Sequence, residues 1–114
     1  MNVVIWHNPK CSKSRQALAL LQERGLKPTV RRYLDDPPTA AEIFEVVKKL
    51  GANDASALVR KKEALYTELG AAKKEGAALV ELMASNPKLI ERPVVITDEG
   101  ARIGRPTEAI LEIL

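Results

Sequence analysis

The fold of this chain is decided by residues 6–15, which read Trp6-His7-Asn8-Pro9-Lys10-Cys11-Ser12-Lys13-Ser14-Arg15. They follow an apolar, β-branched segment at residues 3–5 and lead through a proline-marked turn into an amphipathic pattern. The only cysteine of the chain, Cys11, stands where that pattern begins. The stretch therefore predicts a strand, a turn and a helix, with a thiol at the helix start.

The position of Cys11 favours its ionised form. At the start of a helix, backbone N–H groups lack partners and the helix dipole is positive, and both stabilise a thiolate. A cysteine with an ordinary pKa of about 8.5 is only about 3% thiolate at pH 7, so a reactive cysteine needs a lower pKa. The flanks of Cys11 are polar and basic, which fits poorly with an inert buried thiol. We interpret Cys11 as a nucleophile.

Composition limits the class of protein. The 114 residues suit one domain. The 18 basic and 15 acidic residues give a net charge of +3, which is typical of a solvated surface or could equally help to collect a small anion, and which is too weak to indicate nucleic acid. Neither a run of 18 apolar residues nor a leader pattern is present, so we expect no membrane span, no signal peptide and a cytoplasmic location. One cysteine cannot form an internal disulfide, so redox work would need a thiol from another molecule.

The chain opens with a βαβ pattern. Residues 2–6 predict a strand, and residues 12–24 predict a helix that Gly25 ends. Residues 29–34 predict a second strand. Two strands joined through a helix form a parallel pair with a right-handed crossover.

The middle of the chain predicts helices. Thr39 and Glu42 have the spacing of a capping box, and apolar residues recur at helical spacing up to Gly51. A shorter helix is predicted after Asp54, and another at residues 76–84. We therefore predict a single domain, residues 1–114, with a helical insertion at about 39–85.

The end of the chain predicts a hairpin and a helix. Pro93 opens a β-branched segment, where its missing N–H does least harm, and residues 97–100 form a turn into a further strand. Pro106 is expected at the first position of the final helix.

An opening strand, a cysteine at the first helix, a later Arg-Pro before a hairpin and a closing helix together resemble the thioredoxin fold with a helical insertion. At finer grain the chain resembles the glutaredoxin-coupled arsenate reductases, the ArsC family, over essentially its full length. The matching segments are residues 7–15, Tyr33-Leu34-Asp35-Asp36-Pro37-Pro38-Thr39, Leu58-Val59-Arg60-Lys61, Ile90-Glu91-Arg92-Pro93-Val94-Val95 and Gly104-Arg105-Pro106-Thr107-Glu108.

The resemblance implies an α/β thioredoxin-like fold, βαβ then ββα, with a four-stranded mixed sheet. It implies an oxidoreductase of arsenical resistance in which Cys11 attacks arsenate, glutathione displaces an oxygen, glutaredoxin resolves the mixed species and arsenite leaves. Arg60, Arg92 and Arg105 match the three arginines of the family's oxyanion site, and Pro93 matches its cis proline. Glutathione is the co-substrate, with no bound cofactor and no metal expected, and a monomer is our default.

Three further residues are candidates for supporting roles. His7 either supports the thiolate electrostatically or is a turn or core histidine. Ser14 either donates a hydrogen bond to the Cys11 sulfur or is an ordinary serine of a helix start. Arg15 lies one helical turn past Cys11 and faces either the site or solvent.

Other functions fit the sequence less well. A phosphatase-type loop needs arginine at the position that Ala17 occupies, and a redox-switched transcription adaptor needs a second cysteine where the chain has Ser14. A glutathione-dependent thiol or disulfide reductase of the same fold is the main alternative. The three arginines favour arsenate because a disulfide substrate has no use for an oxyanion clamp.

Overall fold

The computed structural model describes residues 2–114. The chain divides into two compact units, one formed by the segment up to Asp36 together with Arg92–Leu114, the other by Pro37–Glu91. Among the helices of residues 2–114, none has the length and apolar character that crossing a membrane requires.

The first unit is built on a four-stranded mixed sheet. Its strands are β1 (Val4–Trp6), β2 (Thr29–Arg31), β3 (Val94–Thr97) and β4 (Gly100–Ile103), in the order β2-β1-β3-β4. The β1–β2 pair is parallel, and the β1–β3 and β3–β4 pairs are antiparallel. The predicted βαβ opening, the hairpin and the mixed sheet are therefore confirmed.

Helix α1 (Ser12–Glu23) and a 3₁₀ helix at Thr107–Ile113 complete this unit. Gly25 follows α1 with φ +76°, a conformation that favours glycine and ends the helix as predicted. The core of the unit combines side chains from the sheet, α1 and the 3₁₀ helix; its buried members are Val3, Ile5, Ala17, Leu21, Val95, Ile110 and Ile113. This packing fixes the start of α1, and with it Cys11, beside the sheet.

Three boundaries in this unit differ from the prediction. Strand β1 begins only at Val4, and β2 ends at Arg31 because the chain turns there, with the N–H groups of Asp35 and Asp36 both donating to the Arg32 carbonyl. The final helix is 3₁₀, and Pro106 precedes it as the N-cap residue instead of occupying its first position. With φ −68° and ψ 162°, Pro106 is extended and lies outside the helix.

The second unit is helical. It contains α2 (Ala40–Lys49), α3 (Ala64–Glu68) and α4 (Gly76–Ser85), with 3₁₀ helices at Ala55–Ala57, Ala71–Lys73 and Pro87–Leu89. The predicted capping box is confirmed, since Thr39 and Glu42 exchange hydrogen bonds of 3.0 and 3.2 Å at the start of α2. Helix α2 packs against α4, and the buried residues of the two helices include Ile43, Val47 and Met83.

Candidate active site

Cys11 is the N-cap residue of α1. Its backbone is extended, its N–H donates to the Asn8 carbonyl at 3.0 Å, and its own carbonyl accepts from the Arg15 N–H at 3.0 Å. The thiol is largely buried, and the backbone N–H groups of Lys13 and Ser14 interact with its sulfur. These groups are the helix-start donors that the sequence predicts around Cys11.

Two guanidinium groups reach the same sulfur. Arg105 approaches Cys11 Sγ with Nη2 at 3.6 Å, and its Nε donates to the Arg92 carbonyl at 2.7 Å. The Arg92 side chain also interacts with the thiol, and its Nε is buried with no hydrogen-bond partner within residues 2–114. The guanidinium groups of Arg92 and Arg105 therefore meet the Cys11 thiol at one place, and the buried Nε–H of Arg92 is available to donate to an anion.

The ionisation of Cys11 follows from these neighbours. Burial raises the pKa of the thiol, but hydrogen bonding and charge from Arg92 and the N–H groups of Ser14 and Lys13 outweigh it. The net result is a pKa below the ordinary cysteine value. The group is therefore suited to nucleophilic attack near neutral pH.

His7 and Ser14 form a buried pair beneath the active-site turn. Ser14 Oγ accepts from the Asn8 N–H at 3.0 Å and lies 2.7 Å from His7 Nδ1. Burial and the charges of Arg32 and Arg15 lower the pKa of His7. A neutral imidazole adds no positive charge, so these contacts favour the second reading of His7, a histidine that supports the turn.

The Ser14 hydroxyl lies 2.7 Å from His7 Nδ1. In the imidazole with its proton on Nε2 the hydroxyl donates to Nδ1, and in the other tautomer the imidazole donates to the hydroxyl. A hydrogen bond from this hydroxyl to the Cys11 sulfur stays a prediction. It is the backbone N–H of Ser14 that interacts with Cys11. Arg15 is exposed and donates from Nη1 to the Pro9 carbonyl at 2.8 Å, which braces the turn before Cys11.

Pro93 lies against the segment that carries Arg105. The Arg92–Pro93 peptide bond is cis, as the resemblance implies, and so is Arg105–Pro106, which was not predicted. The Gly104 N–H donates to the Pro93 carbonyl at 2.9 Å, and a Cβ on Gly104 would lie 2.8 Å from Pro93 Cγ. Only glycine allows this close approach without movement.

Arg60 belongs to the second unit. Its guanidinium is half-buried and pairs with Glu63, with Nη1 3.2 Å from Oε2. The backbone around it is anchored by a bridge between Val59 and Ile90. Its place in an oxyanion site stays a prediction.

Sequence reasoning missed two residues of this neighbourhood. Gly104 and Tyr33 both stand inside segments that carry the family resemblance, but neither was given a role. Gly104 could have been found because it directly precedes a proposed anion-binding arginine, and a glycine at such a place often allows another backbone or a ligand to approach closely. The signal for Tyr33 is a tyrosine just past a strand at the same sheet edge as Cys11.

Comparisons with known proteins place the whole chain among related sequences and structures. The ArsC family model matches residues 6–113. The arsenate reductase of Neisseria meningitidis serogroup B is 44% identical over 114 residues, covering 98% of this chain and 97% of that protein. The uncharacterized protein YfgD of Escherichia coli K12 is 50% identical, covering 98% and 96%. The solved arsenate reductase from Vibrio cholerae is 49% identical with a TM-score of 0.96, covering 100% of this chain and 98% of that one.

Proposed function

The chain belongs to the ArsC family and has its thioredoxin-like fold, and on that premise we propose that it reduces arsenate to arsenite through a thiol adduct on Cys11. The observation that carries the proposal is the meeting of the Cys11 sulfur with the guanidinium groups of Arg92 and Arg105. A nucleophile beside two oxyanion-binding forks suits a substrate that must be both held and attacked.

The arginines account for substrate binding. Arsenate near neutral pH is a tetrahedral oxyanion, and guanidinium forks bind such oxygens through paired, charge-assisted hydrogen bonds better than an ammonium does. Arg92 and Arg105 would hold the anion over Cys11, and Arg60 is proposed as the third fork. The same positive field keeps the thiol ionised, so one cluster serves both binding and activation.

The chemistry needs thiols from outside the chain. Cys11 sulfur attacks arsenic, an As–S bond forms, and one arsenate oxygen is protonated and leaves as water. Glutathione replaces a second oxygen in the same way. The glutaredoxin thiolate then attacks the glutathione sulfur and forms a mixed disulfide with it. The bond between that sulfur and arsenic breaks, and its electron pair stays on arsenic, which changes from As(V) to As(III). Water then displaces the Cys11 sulfur from arsenic, and arsenite leaves. Because Cys11 is the only cysteine, glutathione and glutaredoxin are the proposed electron donors.

The basic surface beside the thiol suits glutathione. Lys10 and Lys13 are exposed on either side of Cys11, and glutathione carries two carboxylates. We propose that these lysines attract the co-substrate, with a contribution that falls as salt is added.

A coupled assay tests the function. Protein, arsenate, glutathione, glutaredoxin and glutathione reductase are mixed, and loss of NADPH is followed. We expect arsenate-dependent turnover that disappears in Cys11→Ser and falls steeply in Arg92→Ala, while Arg24→Ala, which changes an exposed arginine at the end of α1, turns over normally. If the protein consumes NADPH only with a glutathione mixed disulfide and not with arsenate, the thiol reductase alternative replaces this proposal.

A further inference from the structure

Tyr33 is a large buried side chain without an assigned role. It is fully buried, and it is the largest of the fully buried side chains within residues 2–114. A buried tyrosine hydroxyl usually has a polar neighbour, because leaving it without one costs free energy.

The sheet topology brings Tyr33 to the active site. Trp6, the last residue of β1, pairs with Arg31 of β2 on one side and with Val94 of β3 on the other. Tyr33 stands two residues after β2 ends, and Arg92 stands two residues before β3 begins. Both therefore lie at the end of the sheet where β1 ends and the turn to Cys11 begins.

The turn that carries Tyr33, residues 31–36, is stabilised by hydrogen bonds and an ion pair among its other residues. Arg31 Nε donates to the Asp36 carbonyl at 3.1 Å and lies 3.4 Å from an Asp36 carboxylate oxygen. The N–H groups of Asp35 and Asp36 donate to the Arg32 carbonyl, both at 2.9 Å. Asp35 and Asp36 are exposed, whereas the Tyr33 side chain of the same turn is buried in the interior.

The hydroxyl of Tyr33 interacts with the Arg92 guanidinium, which in turn interacts with the Cys11 sulfur. A guanidinium is planar, so a polar group held against one part of it restricts the direction of all its N–H groups. We propose that Tyr33 is a positioning residue that holds the Arg92 guanidinium in the plane that serves both the Cys11 sulfur and the bound anion. The anion part of this inference rests on the proposed function, whereas the sulfur part does not.

The electrostatics of Arg92 agree with this placement. Burial lowers the pKa of Arg92, but its contacts with Cys11 and Tyr33 outweigh burial and raise the pKa overall. The guanidinium therefore remains charged although half-buried.

The test uses Tyr33→Phe, which keeps the buried ring and removes only the hydroxyl. Without arsenate, we expect the midpoint of Cys11 alkylation by iodoacetamide to move to higher pH, because a loosened Arg92 stabilises the thiolate less. In the coupled assay we expect kcat/KM for arsenate to fall about threefold to tenfold, the range for the loss of one polar contact. Tyr66→Phe, which removes the other tyrosine hydroxyl of the chain, in α3, should match wild type in both measurements.

A double variant separates positioning from structural support. In the Arg92→Ala background, Tyr33→Phe should add no further shift of the alkylation midpoint, since its effect passes through Arg92. A midpoint unchanged in Tyr33→Phe, or a shift that persists without Arg92, overturns the inference. A protein that shows the Arg92-dependent shift but no arsenate turnover would refute the proposed function and support the positioning role.

Discussion

Cys11 is the residue whose ionisation decides the reactivity of the site. Burial opposes its thiolate, and Arg92 with two helix-start N–H groups more than compensates, so its pKa is lowered. We expect Cys11 to be alkylated by iodoacetamide at a lower pH than the thiol of glutathione. In Arg92→Ala, burial remains while the main compensating group is lost, so the midpoint of the rate against pH should rise.

The matched control for this experiment is Arg24→Ala, because Arg24 is exposed at the end of α1. Its alkylation midpoint should equal that of wild type. An Arg92→Ala protein with the wild-type midpoint would show that the helix start alone ionises the thiol.

His7 gives the protein a pH-dependent stability. Its pKa is lowered by burial and by Arg32 and Arg15, so below about pH 6.5 the unfolded chain takes up a proton before the folded chain does. The free energy of unfolding should therefore fall as the pH drops from 6.5 toward the folded pKa. The protein has one histidine, so its ring resonance reports that pKa directly by NMR.

Arg32→Ala is the informative variant for His7. It removes one repelling charge, so the NMR pKa of His7 should move up, toward the ordinary value. His7→Asn should reduce the difference between urea unfolding at pH 7.5 and at pH 5.5. An equal difference in His7→Asn and wild type would mean that other groups cause the pH dependence.

Ser14 ties the active-site turn to the interior. Its Oγ accepts from the Asn8 N–H and contacts His7 Nδ1, and the side chain is fully buried. Ser14→Ala leaves both partners without their neighbour, which should lower the free energy of unfolding by about 1–3 kcal/mol. Urea unfolding measures this loss, and Ser85→Ala, at an exposed serine of α4, should cost much less. Equal costs for the two variants would contradict the bridging role of Ser14.

At the scale of elements, local signals predicted the structure where one residue type decides the geometry. Gly25 ends α1, and Thr39 with Glu42 begins α2, because each of these acts through its own backbone or its immediate neighbours. Strand β2 was predicted three residues too long because apolar character continues past Arg31, whereas the turn depends on hydrogen bonds to the Arg32 carbonyl. The placement of Pro106 was wrong by one residue, since a favourable φ is equally compatible with an N-cap and a first helical position.

The contact between Gly104 and Pro93 joins the two segments that carry the site arginines. A methyl group on residue 104 would meet Pro93 Cγ at 2.8 Å, so Gly104→Ala must separate the segments. The hydrogen bond of Arg105 to the Arg92 carbonyl and its approach to Cys11 should both lengthen. We expect a loss of about 1–3 kcal/mol in unfolding free energy and a fall in kcat/KM for arsenate that can reach about a hundredfold.

Gly25→Ala is the control for Gly104→Ala. Its φ of +76° makes alanine strained, but apart from Gly25 and its two chain neighbours no atom of residues 2–114 lies within 4 Å of the added Cβ. This variant should lose stability in urea unfolding and keep its activity. Wild-type activity in Gly104→Ala would show that the close approach does not position Arg105.

At the scale of the whole molecule, the family motifs predicted which three side chains lie together better than they predicted the contacts around them. Cys11, Arg92 and Arg105 were named in advance, and the structure brings these three together within the first unit. The hydrogen bond between Ser14 and His7 and the approach of Tyr33 to Arg92 were missed. They depend on side-chain rotamers and on strand register between distant segments, which neither periodicity nor motif spacing encodes.

Substitution of Arg60 tests whether a residue of the second unit contributes to activity. The family resemblance assigns it to the oxyanion site, while its observed partner is Glu63 at 3.2 Å. If Arg60 binds arsenate, Arg60→Ala should lower kcat/KM by about tenfold to a hundredfold, mainly through KM, as expected for a lost hydrogen bond to a charged group. Lys61→Ala, at the exposed neighbouring position, should leave both constants unchanged. If Arg60 serves only the ion pair, Arg60→Ala and Glu63→Gln should reduce stability alike and leave arsenate reduction intact, and the second unit would then supply no arginine to the anion.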